Sequence, residues 1–422
     1  MPPQHQLPSS LCTAGIRVVA PYWMTVSLAI QGEKEETYAT VLSRMIQKDG
    51  KVNNKWKNFS KPSIGWWIEE LESGRVTTTE QGGDGTVISG DDLLSTTSKV
   101  KLQAQYHYHE QSIMYDLKDL SDLILYRDEQ YLIVNKPPGV DVLENPAAGR
   151  VHNSLPGLLK EHFARDPLTS NTKIIPAHRL DGPVSGVVCC GITSKDTKRI
   201  QRRIQLGQIS KTYVARVQIP PSGLPKLPLT IETKMGFDDN TTSLAYVVEE
   251  AEEEEEESST PTAEATSTGC GGSGGGDGKH SKTVVQNCLR FIEEDSTAVV
   301  TIRLFTGRKH QIRCHLQYVG LPIANDHRYG GRRRIPPLSA FGLPKPQTEL
   351  TQMLQEAWKE GQSNCTFCEF EQNLLKESSL LKVSDERLGP SVNTGIWLHS
   401  WKYGFPTWDM EFEAPLPHWA LS

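Results

Sequence analysis

No run of about 20 uncharged apolar residues, the length a helix needs to cross a bilayer, occurs in the 422 residues. No membrane-spanning helix is expected, and no membrane partner. A basic segment followed by a clean apolar stretch is missing from the N-terminal region, where lysine and arginine are also sparse. Neither a secretory signal nor a transit peptide is therefore expected. Cysteine is scarce and scattered, with eight residues at 12, 189, 190, 270, 288, 314, 365 and 368. That usage excludes a disulfide-stapled secreted domain and fits reduced thiols in the cytoplasm or nucleus, with the mitochondrion left open. Metal-ligand spacing is thin. Cys365-x-x-Cys368 has no second C-x-x-C or H-x-x-x-H to complete a four-ligand zinc site, so no metal is expected. His-x-Glu followed by Pro-Cys-x-x-Cys is absent too, which excludes a fused zinc deaminase. A large charge excess is lacking: the net −6 includes Glu249, Glu250 and Glu252 to Glu257, and without those eight the chain is +2. A near-neutral balance of this origin does not argue against a nucleic-acid partner, which local basic clusters would report better.

What is present is enough length for a sizeable core and two or more domains. Residues 249–283 read as a disordered acidic and Gly-rich insertion, since they offer too little apolar surface to offset their ordering entropy. Residues 339–394 read as a loop-rich insertion. The stretch LILYRDEQYLIVNKPPG (123–139) reads as two strands about a turn, closed by Pro137, Pro138 and Gly139. Thr193-Ser194 caps a helix through residue 208 with Ile200 and Ile204 on one face; KTYVARVQI (211–219) and STAVVTIRLF (296–305) are strands. Thr306 opens a helix with Ile312, Leu316 and Val319 at helical spacing, stopped by Gly320 and Pro322. Near the N-terminus, residues 37–46 have helical spacing and 66–76 read as a helix running into a strand.

Within this frame one stretch stands out. PAHRLDGPVSGVVCC (176–190) places an imidazole, a guanidinium and a carboxylate directly before a buried-looking run. Taken alone, Asp181-Gly182-Pro183 is an ordinary turn. Two further stretches change that reading: KTYVARV at 211 and TGRKHQIRCHLQYVGLPIANDHRYG at 306. Together, in this order, the three resemble the RluA-type family of RNA pseudouridine synthases. VNKPPG and the tail IWLHSWKY…APLP resemble that family's opening and closing strands, so the likeness covers roughly residues 121–338 and 395–418. ESGRV (72–76) and YHYHEQSIM (106–114) resemble a degenerate S4-like RNA-binding module and its bridge in a eukaryotic and fungal-type branch.

The resemblance implies an α+β fold, a mixed, mainly antiparallel central sheet with flanking helices. It implies a catalytic domain over 121–422 and a small S4-like α/β module within 1–120. It implies an isomerase that converts specific uridines of RNA, tRNA before ribosomal RNA, with no cofactor, since no redox change occurs and no group is consumed. A monomer is expected. The alternatives are an enzyme directed at ribosomal RNA, or a non-catalytic RNA-binding protein on the same fold.

The chemistry needs a carboxylate that attacks the base or the sugar, and Asp181 is the candidate. A cation beside it would keep it ionised; the resemblance assigns this to Arg313. Tyr213 is implied as the aromatic face and proton relay of the pocket, and Ile312 as an apolar wall. A flipped uridine leaves a gap that the planar cation of Arg179 can fill. His178 contacts RNA or holds the loop, and Lys211 and Arg308 are implied in substrate binding. Two departures stand out: Val184 where the family has threonine, and Asn325 where it has glycine. Basic clusters at Lys195, Lys198, Arg199, Arg202 and Arg203 and at Arg328 and Arg332 to Arg334 are available for phosphates.

Overall fold

The computed structural model describes residues 120–145, 150–164, 174–238, 242–248, 278–332, 392–393 and 395–421. Of the first 119 residues it describes 10–13, 16–19, 22–31, 33, 35–48, 64–74, 76–78, 86–87, 89, 91–94, 100–108, 110 and 112–114. Cys365, Cys368, most of 339–394 and the stretch 249–277 lie outside the described residues.

The chain divides into two units. The first takes Met1–Tyr115, Leu143–Glu161 and Pro337–Asn393, so the boundary is not a single cut near residue 120. The two expected N-terminal helices form, as Tyr38–Lys48 and Ile64–Glu72. Val41, Leu42, Trp67 and Leu71 are buried in one cluster with Val100 and Leu102 of the strand Val100–Tyr108. Glu110 of the YHYHE stretch is spent inside this unit. Its carboxylate accepts from the Tyr22 hydroxyl at 2.7 Å and from the backbone N–H of His152 and Asn153, each at 2.7 Å. Burial raises its pKa despite those three donors.

The second unit is built on an eleven-stranded sheet. Its strands are β1 Ile124–Arg127, β2 Tyr131–Lys136, β3 Ser185–Gly191, β4 Ser210–Gln218, β5 Leu229–Phe237, β6 Ala245–Val248, β7 Lys279–Ile292, β8 Thr297–Leu304, β9 Leu398–Phe405 and β10 Met410–Glu413. The main path runs β6-β5-β7-β8-β4-β9-β3-β2-β1; β10 flanks β9, and a short strand, Ile175–Pro176, flanks β3. Among the described residues of this sheet, β3 with β9 is the one parallel pair. The fold is thus α+β with a mainly antiparallel sheet.

Every residue of β3 is buried, which the run Val187 to Cys190 required. Val214, Ala215, Val299, Val300 and Ile302 fill the sheet's middle. Helix α1, Ser194–Gln205, begins where expected: the Thr193 hydroxyl accepts from the Asp196 N–H at 3.2 Å, and Asp196, Thr197 and Ile200 face inward. Helix α2, Gln311–Tyr318, begins five residues later than Thr306. The Thr306 hydroxyl instead donates to the Gln311 side chain at 2.8 Å, closing a loop whose last residue, His310, is left-handed at φ 57°.

The insertion is shorter at its C-terminal end than composition implied. Lys279 to Thr283 belong to β7, in register with β5. Ser281 and Thr283 are buried there because His315 of α2 pairs with both hydroxyls, at 2.9 Å each. No helix among the described residues is long and apolar enough to cross a membrane.

Candidate active site

The loop 178–184 is fixed at several points. His178 stacks on Tyr403, with ring centroids 4.6 Å apart and 7° between planes, and its Nε2 accepts the Cys189 N–H at 3.0 Å. An accepting Nε2 puts the ring proton on Nδ1 of a neutral imidazole. Burial, and then the charge of Lys211, push its pKa down to about 4. His178 braces the loop: its ring is engaged with protein on one face and at Nε2.

Lys136, fully buried, donates to three carbonyls: Pro137 at 2.9 Å, Val140 at 2.6 Å and Gly182 at 3.0 Å. The Gly139 N–H adds a second bond to Gly182 O at 2.9 Å. Val184 N–H closes the Asp181 turn at 3.0 Å, and Ile396 N–H takes Pro183 O at 3.0 Å. Val184 itself is buried among Tyr213, Ile312 and Leu316, so the methyl in place of a hydroxyl sits in apolar surroundings. Just beyond, Gly186 has φ +110°, and a Cβ there would run into the Ser400 carbonyl of β9. Glycine is what lets β3 and β9 approach at the foot of the loop.

Asp181 stands between these anchors with a quarter of its side chain exposed. Its Oδ2 accepts from Arg313 Nη1 at 3.3 Å and lies 3.8 Å from His310 Nε2. Arg313, in the first turn of α2, is 3% exposed. Its Nε and Nη2 grip Asp326 in a two-pronged pair at 2.6 and 2.8 Å, and its guanidinium lies over the Tyr329 ring at 4.8 Å. Burial works against its charge, but the hydrogen bonds and charge of Asp326, then the charge of Asp181, hold its pKa above the ordinary arginine value. One planar cation is thus locked by Asp326 and presents its remaining arm to Asp181.

Tyr213 enters from β4, at a register shift between Thr212 and Tyr213 in the pairing with β9. Burial and the nearby charge of Asp181 push its phenol up to about 12, so it stays protonated at neutral pH. Ile312 packs in the same buried cluster as Tyr213. Arg179 is exposed and has no ion-pair partner among the described residues. Lys211, partly buried, has its pKa lowered by burial and by Arg303. Arg308 is exposed at the loop before α2, where its Nε donates to His280 O at 3.2 Å.

Sequence reasoning missed several site residues. Asp326 is the chief one; the signal available was only the physical need of a buried arginine for a carboxylate. Asn325, which stands where the family has glycine, is left-handed at φ 67°, a conformation asparagine tolerates next after glycine. It delivers Asp326. His310 was also missed: its Nδ1 pairs with the Tyr329 hydroxyl at 2.9 Å, and that hydroxyl accepts the Ala245 N–H at 2.7 Å. Gln311, too, was missed as a fastening. It donates to Lys282 O at 3.1 Å and Thr283 Oγ1 at 2.9 Å, tying the loop to β7.

A family model described as RNA pseudouridylate synthase matches residues 130–318. The chain is 24% identical over 435 residues to the tRNA pseudouridine(31) synthase of Saccharomyces cerevisiae, covering 96% of both chains. It is 26% identical over 284 residues to ribosomal large subunit pseudouridine synthase D of Pseudomonas aeruginosa, covering 67% of this chain and 73% of that one. The solved structure of human RNA pseudouridylate synthase domain containing 1 aligns at TM-score 0.43 and 17% identity, over 72% of this chain and 86% of that chain. Residues 130–318 thus carry an RNA pseudouridylate synthase domain, and that match with these relatives supports an isomerase of the RluA type that acts on RNA.

Proposed function

We propose that this pseudouridine synthase acts on tRNA, with Asp181 as its nucleophile and Arg313 and Tyr213 completing the catalytic group. The observation that carries the assignment is the single guanidinium shared between Asp326 and Asp181. A carboxylate held this way is kept beside a fixed cation, with a quarter of its side chain open to a substrate. The target uridine leaves its stack and Arg179 takes the vacated space. The N1–C1′ bond breaks, the base turns, and C5 joins C1′. The proton displaced from C5 leaves and N1, which no longer carries the sugar, takes one up, so the atoms balance with no co-reactant. Tyr213, protonated across the physiological range, forms one face of the pocket and can pass a proton. Ile312 walls it, while Lys211 and Arg308 meet the phosphates of the flipped strand.

The tRNA assignment rests on the yeast relative that matches 96% of this chain and is named for tRNA. The first unit is proposed as an RNA-binding module of degenerate S4-like type. Mapping pseudouridines across all RNA of cells with and without the protein tests the substrate. Loss of sites confined to tRNA is the expected result. Loss confined to ribosomal RNA would move the assignment to the substrate class in the name of the Pseudomonas relative.

A further inference from the structure

Both basic clusters noted in the sequence were open to RNA, and the structure separates them. Arg328 is committed to protein, donating to the carbonyls of Thr242 and Ser243 at 2.8 and 2.9 Å. Arg333 and Arg334 lie outside the described residues. On α1, by contrast, Lys195, Lys198, Arg199, Arg202 and Arg203 fall at i, i+3, i+4, i+7 and i+8, one continuous stripe about 12 Å long at 1.5 Å per residue. The first four are exposed. With Trp408 they line a recess of about 780 Å³.

The stripe is not explained by the stability of the helix. Lysines at 195 and 198 sit in and next to its first turn, where the helix dipole disfavours positive charge. Lys195 with Arg199, Lys198 with Arg202 and Arg199 with Arg203 are like-charge pairs four residues apart, each destabilising. None of the five has an ion-pair partner among the described residues. Among the described residues Arg199 and Arg203 hydrogen-bond to neutral amides, Gln130 at 2.7 Å and Gln208 at 2.9 Å. Their guanidiniums lie over the Trp408 ring, at 6.0 and 4.9 Å. That ring is itself clamped by stacking on Tyr131 and Phe405, at 5.3 and 4.9 Å. The tryptophan is a rigid wall that pre-orders two cations facing an open recess.

We propose that this face of α1 with Trp408 is a second RNA-binding surface, one that holds the phosphodiester backbone of the substrate away from the reaction pocket. It rests on the reading of the protein as an RNA-modifying enzyme and adds a site to it. Pre-ordered guanidiniums suit phosphate oxygens, which accept two parallel N–H bonds, and the backbone carries no sequence information to be read here.

The test uses the full chain and fluorescently labelled bulk tRNA. Binding is measured by anisotropy between about 50 and 200 mM salt, for the wild type and for the triple variant Lys198→Gln, Arg199→Gln, Arg202→Gln. The expected result is about tenfold weaker binding, with the slope of log affinity against log salt reduced by about 2. The loss should appear in KM rather than kcat. Because glutamine removes the like-charge pairs, the melting temperature should rise, the opposite of what a structural role would give. Trp408→Leu, which leaves the net charge unchanged, should also weaken binding.

An unchanged salt slope and affinity in the triple variant would overturn the proposal. So would binding of a polyglutamate peptide in preference to RNA, which would assign the surface to an acidic protein. Asp181→Asn run in parallel keeps the two readings apart. A wild type that binds tRNA through this surface but forms no pseudouridine in any RNA would sink the catalytic assignment alone. One that forms pseudouridine while the triple variant binds normally would sink the surface alone.

Discussion

At Arg313 a buried guanidinium keeps its charge because two carboxylates face it, and the two have different jobs. Asp326, 1% exposed at its side chain, locks the plane of the cation; Asp181, a quarter exposed, is the one a substrate can reach. Asp181→Asn should abolish pseudouridine formation while leaving the melting temperature within a few degrees. Nucleoside mass spectrometry of the treated RNA measures this, and turnover near the wild-type rate would refute the nucleophile. Asp326→Asn should act through position: an ångström of drift in Arg313 can cost about 10²-fold in rate. Leaving a buried arginine underpaired should also cost about 3 kcal/mol of stability. Wild-type rate and wild-type urea midpoint together would dispose of that role. That Asp181 would meet Arg313 was legible in the sequence because each sits inside a motif of the family resemblance. Asp326 was not, because the rest of α2 and a turn separate it from its partner and nothing local marks it as acidic by need. His178 was legible as important, but only its stacking on Tyr403, a residue far along the chain, decides that it braces the loop.

At the scale of elements, the strands β1 to β4 and β8, and the helix α1, stand within a few residues of where periodicity and capping put them. The misread elements share a cause. β7 begins in Lys-His-Ser-Lys, a composition that suggests a loop, yet Ser281 and Thr283 face inward because a histidine from another element satisfies their hydroxyls. The start of α2 was misplaced because Thr306 caps a loop through Gln311 rather than the helix itself. This fixes how the insertion should be cut. Val248 and Lys279 pair with adjacent residues on opposite edges of β5, about 10 Å apart at one strand spacing on each side. Replacing 250–277 by Gly-Ser-Gly-Ser should leave activity within a few-fold. Extending the cut to residue 282 removes four rungs paired with β5 and should lower soluble yield and the melting temperature. Equal activity of the two deletions would show that the N-terminal end of β7 is dispensable.

For the molecule as a whole, burial leaves a set of neutral imidazoles with a common pH response. His178, His310, His315 and His399 are each pushed down to about 4, first by burial. Unfolded histidine titrates near 6.5. Below that pH the unfolded chain takes up protons that the folded chain does not, so the stability these groups contribute is complete above about 6.5 and is lost as the pH falls toward 4. The urea midpoint should therefore drop steeply between pH 6.5 and 4; a flat profile would contradict the buried, neutral state of these rings. The order of the strands has another consequence. β9 lies between β4 and β3, and so joins the half of the sheet that carries Tyr213 and Arg313 to the half that carries Asp181. It is made of residues 398–405, some 85 positions after Arg313. On a ribosome, Asp181, the proposed nucleophile, and Arg313 are both synthesised well before the strand that unites their halves of the sheet. A nascent chain halted before Trp397 carries Asp181, Tyr213 and Arg313 but lacks the strand that lies between their halves of the sheet, so it should form no pseudouridine until residues 398–405 have cleared the exit tunnel.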